Sequence, residues 1–261
     1  MNELLQVFTQ HTPKQGHVDF VGAGPGDPTL LTHKARLLLD EADVVLYDRL
    51  VDQRILELAR REALVIEVGK TGFGPSMAQN EINQLTIDHV GRGVQVVRLK
   101  SGDPSVFGRL DEELEAIAAH DISHSIVPGI TAASAASLGR SLTQRGRNSG
   151  VRLITGHDMA GFADQDWRSM AAPDTVVAIY MGKKAARFIQ GRLMMHGADA
   201  ETPITVVENV SHADQRTIST KLKHLPQAVR NLDGPTVLLY GVIPRTKSCK
   251  IYQEQFFERC N

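Results

Sequence analysis

Val21-Gly22-Ala23-Gly24-Pro25-Gly26-Asp27-Pro28 follows a short apolar run, Val18–Val21, and precedes a helix-like pattern that opens near Leu30. Glycines placed just after a strand let the backbone approach a ligand or another loop closely. A dinucleotide fold would carry G-x-G-x-x-G here, the third glycine allowing close helix–strand packing. Gly22 and Gly24 fit that spacing, but position 27 is Asp and Gly26 comes one residue early. Pro25 removes a backbone donor that a pyrophosphate would use. The loop therefore reads as a cradle for something other than a pyrophosphate, or as a tight turn.

Outward from this loop, strand-like and helix-like segments alternate. Strands are expected at 18–21, 44–47, 64–68, 94–99 and 125–127. Helices are expected at 30–42 (Leu30, Leu31, Leu37 and Leu38 on one side), 53–60, 79–90, 111–119 and 131–138. Continuous β-branched strands between amphipathic helices predict a mostly parallel sheet covered on both faces. Residues 139–150 are polar, basic and glycine-rich, which marks a boundary. Beyond it come strands near 151–155, 175–180, 203–207, 215–219 and 236–240, with helices near 165–171, 184–195 and 221–230. The two strands within 203–219 have no helix between them, so this second sheet is expected to be mixed. The expected organisation is an N-terminal α/β domain at 17–143, a C-terminal α/β domain at 150–244, and tails at 1–16 and 245–261.

Composition bounds the function classes. The 261 residues are 42% hydrophobic and 23% charged, with a net charge of −1. That balance gives no electrostatic reason to expect nucleic acid or an anionic membrane. No apolar run approaches the ~20 residues that cross a bilayer, and residues 1–16 do not read as a signal peptide. The two cysteines, Cys249 and Cys260, form neither a metal spacing nor a disulfide framework, so a reducing cytoplasm is the expected location. No spacing among the ten histidines suggests a metal site.

In an open α/β sheet, ligands bind at the carboxyl ends of the strands. Five unusual segments fall there: 22–28, Asp48-Arg49, Gly69-Lys70-Thr71-Gly72, Ser101-Gly102-Asp103 through Arg109, and Pro128-Gly129-Ile130-Thr131-Ala132. Together with Ala42-Asp43-Val44-Val45-Leu46-Tyr47-Asp48-Arg49, Val97-Arg98-Leu99-Lys100, Leu153-Ile154-Thr155-Gly156-His157, Tyr180-Met181-Gly182 and Val206-Val207-Glu208-Asn209, their order and spacing resemble the tetrapyrrole methylase family. Within it the likeness is to the uroporphyrinogen-III C-methyltransferases, and it covers roughly residues 17–244.

The resemblance implies a two-domain tetrapyrrole methylase fold with the active site in the cleft between the domains, S-adenosylmethionine as donor, no metal, and a homodimer. It implies methylation of two pyrrole carbons of uroporphyrinogen III to give precorrin-2. By the same resemblance, Pro25, Ser101, Gly102, Asp103, Val106, Thr131, Ala132, Met181 and Val210 align with donor-binding positions. Asp48 aligns with a proton acceptor, Lys70 with a proton donor, and Arg109 and Arg145 with arginines facing the substrate. Arg109 thus stands with Asp48 and Lys70 in the catalytic set.

The chemistry suits this. A sulfonium donor needs shape and backbone polar groups, not a phosphate nest. Methyl transfer is largely a positioning problem, and a pyrrole carbon attacks better when the ring loses its N–H proton to a base. An acceptor with eight carboxylates calls for guanidinium groups, and Arg49, Arg109, Arg140, Arg145, Arg147, Lys183, Lys184 and Arg187 are available. The chain departs from the family pattern at Ser101, Ser105, Leu110-Asp111, Gln144 and Val210. Two alternatives stay open: a methyltransferase acting on a later precorrin or another acceptor, and a nucleotide-binding regulatory module.

Overall fold

The computed structural model describes residues 16–69, 77–137, 140–158 and 161–242. The chain divides into two compact units, residues 1–131 and 132–261. Lys70, Cys249 and Cys260 lie outside the described residues.

In the first unit the elements are β1 (His17–Gly22), α1 (His33–Glu41), β2 (Val44–Tyr47), α2 (Gln53–Leu56), β3 (Leu64–Glu67), α3 (Gln79–Val90), β4 (Gln95–Lys100), α4 (Leu110–Ala118) and β5 (Ser123–Val127). The strands form one parallel sheet in the order β3-β2-β4-β1-β5. Because side chains alternate along a strand, each face receives half of every strand. Val21, Val45, Val97 and Leu99 pack with Ala35 and Leu39 of α1 and Ile55 and Leu56 of α2. Phe20, Leu46 and Val96 pack on the opposite face with Ile82 of α3 and Ile117 of α4. Helices therefore cover both faces, as the continuous apolar strands predict.

The strand order contains a reversal. From β1 the chain moves to one side, through β2 to β3; from β4 it moves to the other side, to β5. The loops after the adjacent strands β1 and β4 thus leave in opposite directions, and this topological switch is where open α/β sheets bind ligands.

The second unit contains α5 (Ala132–Ala136), β6 (Arg152–Thr155), the short hairpin β7 (His157–Asp158) and β8 (Gly161–Phe162), α6 (Trp167–Met170), β9 (Val177–Tyr180), α7 (Gly182–Met195), β10 (Pro203–Glu208), β11 (Arg216–Lys221), α8 (Leu225–Ala228) and β12 (Thr236–Tyr240). Its sheet runs β11-β10-β12-β9-β6, with β6 and β9 parallel and the other pairs antiparallel. The mixed sheet follows from the β10–β11 pair, which the sequence shows as two strands without an intervening helix. Residues 140–150 are tied into this unit: Arg140 donates to Thr205 Oγ1 (2.6 Å), and Arg147 donates to Asp174 (2.9 Å) and to the Gly241 carbonyl (3.1 Å).

Two local expectations are corrected. The helix expected at 30–42 begins at His33. Asp27 first caps a 3₁₀ turn over Pro28–Leu30, and Thr32 then accepts from the Ala35 amide (3.2 Å) as the true N-cap. The buried stripe accordingly runs through Ala35 and Leu39, with Leu31 and Leu38 beside them, while Leu37 is 48% exposed. The helix expected at 221–230 is a 3₁₀ turn, Leu222–His224, followed by the short α8. Pro226 sits in the first turn of α8 and has no N–H with which to carry a helix through from residue 221.

The stripe makes a direct prediction. Leu39→Ala empties a fully buried site and should cost ~2–5 kcal/mol, whereas Leu37→Ala should change stability by less than ~0.5 kcal/mol. Urea unfolding midpoints of the two variants check this, and equal losses would place the helix in another rotation.

Candidate active site

Three backbones meet at the carboxyl edge of the first sheet. Gly24 and Gly102 exchange two hydrogen bonds (3.1 and 2.8 Å), stapling the loop after β1 to the loop after β4. The loop after β5 closes on both: a Cβ added at Gly129 would lie 2.1 Å from the Gly102 carbonyl oxygen, and one at Gly22 would lie 2.5 Å from the Gly129 nitrogen. No side chain fits at either position. Gly102 also has φ +72°, which favours glycine in its own right.

Asp103 completes the junction. Its Oδ2 accepts from the Gly129 amide (3.0 Å), and its Oδ1 accepts from the amide of Ser105 (2.8 Å) and from the Ser105 hydroxyl. Ser105 thereby folds its loop onto Asp103. Asp27, at the position of the missing third glycine, accepts from the amide and hydroxyl of Thr29 (2.8 Å each) and is occupied in capping. Of the residues singled out for donor binding, Pro25, Ser101, Gly102, Asp103 and Val106 lie on these loops, and Thr131 ends the segment after β5. Phe107 and Arg109 adopt left-handed backbone conformations (φ 55° and 54°). Such strain costs of order 1–3 kcal/mol for a non-glycine residue and clusters at functional segments.

Asp48 follows β2 on the same edge. Its amide donates to the Leu99 carbonyl (3.1 Å), continuing the ladder with β4. Its carboxylate accepts from Arg98 Nη2 (2.6 Å). Arg98 also donates to Glu113 Oε1 of α4 (3.1 Å), and Lys100 Nζ donates to the same oxygen (2.6 Å), as does Gln79 of α3 (3.2 Å). Arg98, Lys100 and Glu113 are buried, with side-chain exposures of 2%, 2% and 4%, whereas that of Asp48 is 32%. Burial, and then the neighbouring Arg98 cation, push the Lys100 ammonium below its ordinary range. For Arg98, burial opposes the charge, but Asp48 and Glu113 together outweigh it and hold the guanidinium above its ordinary value. This network was not anticipated from the sequence. Its signal is present there: two cations at alternate positions of an otherwise apolar strand require buried acids.

Arg109 occupies the N-cap position of α4 without a side-chain cap, and makes a bidentate pair with Glu112 (2.7 and 2.6 Å). The pair is half exposed and therefore screened.

The second unit gathers its own residues on one edge. β12 runs antiparallel to both β9 and β10, so β9 and β10 point the same way and their carboxyl ends share that edge. Met181 follows β9 with φ 52°; Val210 follows β10 between left-handed Asn209 and Ser211 (φ 51° and 62°). Val210 packs with Ala133 and Ala136, with Ala132 beside them, and the Tyr180 hydroxyl accepts from the Ala133 amide (3.0 Å). Met181 is 52% exposed, so it is not a core residue.

Arg145 is exposed in a turn closed by the Gln144–Asn148 bridge. Of the other cations, Lys183 is committed to the carbonyls of Leu232, Asp233 and Gly234 (3.1, 2.7 and 3.1 Å), and Arg140 and Arg147 are held as described above. Arg49, Lys184 and Arg187 are exposed. Among the described residues no three His, Cys, Asp or Glu side chains group so as to hold a metal ion, and no helix is long and apolar enough to cross a membrane.

The backbone junction predicts that Gly129→Ala forces the loops apart. An overpacked site costs ~1–3 kcal/mol, so the thermal midpoint should fall by several degrees. Gly150→Ala, which meets open space, should leave it unchanged. Calorimetry of both variants checks the contrast.

Residues 17–226 match the family described as Tetrapyrrole (Corrin/Porphyrin) Methylases. Siroheme synthase of Pseudoalteromonas translucida is 42% identical over 245 residues, 92% of this chain and 52% of that protein. The siroheme synthase of Azotobacter vinelandii is 44% identical over 236 residues, 89% of this chain and 51% of that protein. The chain thus spans about half the length of the curated relatives it matches. The crystal structure of uroporphyrin-III C-methyl transferase from Thermus thermophilus complexed with S-adenyl homocysteine superposes with a TM-score of 0.75 at 37% identity, covering 87% of this chain and 92% of that one. A cobalt precorrin-4 methyltransferase superposes with a TM-score of 0.77 at 26% identity, covering 86% and 94%. The chain belongs to the tetrapyrrole (corrin/porphyrin) methylase family.

Proposed function

We propose that this chain transfers the methyl group of S-adenosylmethionine to two pyrrole carbons of uroporphyrinogen III, giving precorrin-2. The observation that carries the reading is the 37% identity to the Thermus thermophilus uroporphyrin-III C-methyl transferase, over 92% of that chain and with the same fold. The stapled loops at the switch point support it with a site of backbone groups suited to a sulfonium donor. Pro25, Ser101, Gly102, Asp103, Val106, Thr131, Ala132, Met181 and Val210 are the proposed donor-binding residues. Membership of the family sets aside a regulatory nucleotide-binding module.

In each transfer a pyrrole carbon attacks the donor methyl. The new C–C bond forms as the S–CH₃ bond breaks, and the sulfonium becomes the neutral thioether of S-adenosylhomocysteine. The macrocycle gives up one net proton, which Asp48 accepts from the ring N–H; any proton that Lys70, the proposed proton donor, adds to the macrocycle is matched by a second one lost, so the net release stays one. Arg109 and Arg145 bind acceptor carboxylates. A cytoplasmic homodimer is the proposed state of the protein. A second reading, a later precorrin as acceptor, draws on the likeness to the cobalt precorrin-4 methyltransferase.

Incubation with uroporphyrinogen III and labelled donor, followed by mass analysis, tests the function; two added methyl groups are expected, and none would sink it. Asp48→Asn should lower turnover ~10²–10⁴-fold, the usual worth of a general acid or base, with little change in S-adenosylhomocysteine affinity. Arg109→Ala and Arg145→Ala should each weaken acceptor binding roughly 10- to 100-fold, because charged hydrogen bonds are lost. Donor binding should hold. Equal loss for both ligands in a titration would indicate a damaged fold instead.

A further inference from the structure

The buried network behind Asp48 is an expensive way to hold a sheet together. Taking charges out of water is costly, and apolar side chains of similar volume are often no less stable. The network is also incompletely satisfied: Arg98 Nε and Glu113 Oε2 are buried without a hydrogen-bond partner. Its stability contribution does not explain it. Its geometry does. Arg98 and Lys100 extend from one face of β4 and are fixed by Glu113, which reaches them from α4 with Gln79 of α3 on the same oxygen. Arg98 Nη1 also faces the carbonyls of Leu46 and Leu99 (3.4 Å each), so the guanidinium is held from β2, β4 and α4 at once. Nη2, which donates to Glu113, also donates to Asp48, whose side chain is 32% exposed while those of Arg98, Lys100 and Glu113 are buried.

We propose that Arg98, clamped by Glu113, is a positioning residue that holds the Asp48 carboxylate in the orientation needed to take the substrate proton. The proposal rests on the preceding reading of Asp48 as proton acceptor. Arg98 is buried and acts only through Asp48. A planar fork satisfies several acceptors in a fixed arrangement, which a lysine ammonium cannot reproduce. Misplacing a reacting group by about 1 Å can cost ~10²-fold in rate.

The test is a double-mutant cycle on turnover with uroporphyrinogen III, with S-adenosylhomocysteine calorimetry on every variant to confirm a folded donor site. Arg98→Met should lower kcat roughly 10- to 100-fold, with KM changed less than ~3-fold. Arg98→Lys keeps the buried charge, remains informative where Arg98→Met does not fold, and should recover only part of the loss. In an Asp48→Asn background either Arg98 substitution should cost less than ~2-fold more, because the group it positions is already gone. The same fold-loss in both backgrounds, or no loss in either, overturns the proposal while leaving the role of Asp48 intact. Full turnover by Asp48→Asn alone overturns that role, and the positioning argument falls with it.

Discussion

The carboxyl edge of the first sheet depends on three backbones lying closer together than any side chain allows. Gly22, Gly102 and Gly129 end three neighbouring strands or the loops that leave them, and a single Cβ at Gly22 or Gly129 would enter the backbone opposite. The strand order makes this contact unavoidable. β1 lies between β4 and β5, and the loops after β1 and β4 turn away from each other above the sheet. Without glycine the loops would stand apart and the Gly24–Gly102 hydrogen bonds would not form. Asp103 and Ser105 brace this arrangement: the Asp103 carboxylate accepts from its own loop and from the loop after β5, tying the two together.

Behind that backbone junction lies the charged layer of Arg98, Lys100, Glu113 and Asp48. Two cations and two anions leave it formally neutral, which is what permits it to be buried at all. The layer stands on the face of the sheet that carries α3 and α4, while the opposite face is occupied by α1 and α2 and is apolar. The same strand, β4, thus supplies the staple at its end and the charges beneath it. Positioning by backbone and positioning by buried ion pairs come from six consecutive residues and the loop that follows them.

The fold was legible because its strands are continuous β-branched runs separated by amphipathic helical patterns. Val44–Tyr47 and Gln79–Val90 have the bounds that pattern and punctuation suggest. The start of α1 was not, because an Asp-Pro pair makes a short 3₁₀ turn whose leucines mimic a longer helical stripe. In the site, the glycine loops and the strand-end Asp48 were readable from position alone. The partners of Asp48 were not, since a sequence does not say which face of α4 meets β4; Glu113 is one of several acidic residues in that helix. Arg140, Arg147 and Lys183 illustrate the opposite error. As cations in loops and at helix starts they read as free to bind substrate, and each is committed to an oxygen of its own unit.

The left-handed residues distinguish scaffold from site where composition does not. Phe107 and Arg109 after β4, Met181 after β9, and Asn209 and Ser211 after β10 all follow carboxyl ends of strands. None is glycine, and apart from Asn209 each carries a cost that a neutral loop would shed by substitution. Two further cases, Asp121 and Asp174, are aspartates, which tolerate this conformation through local hydrogen bonding. Phe107 and Met181 are of neither type, and both expose much of their side chains. An apolar side chain held out to solvent on strained backbone is poorly explained by folding.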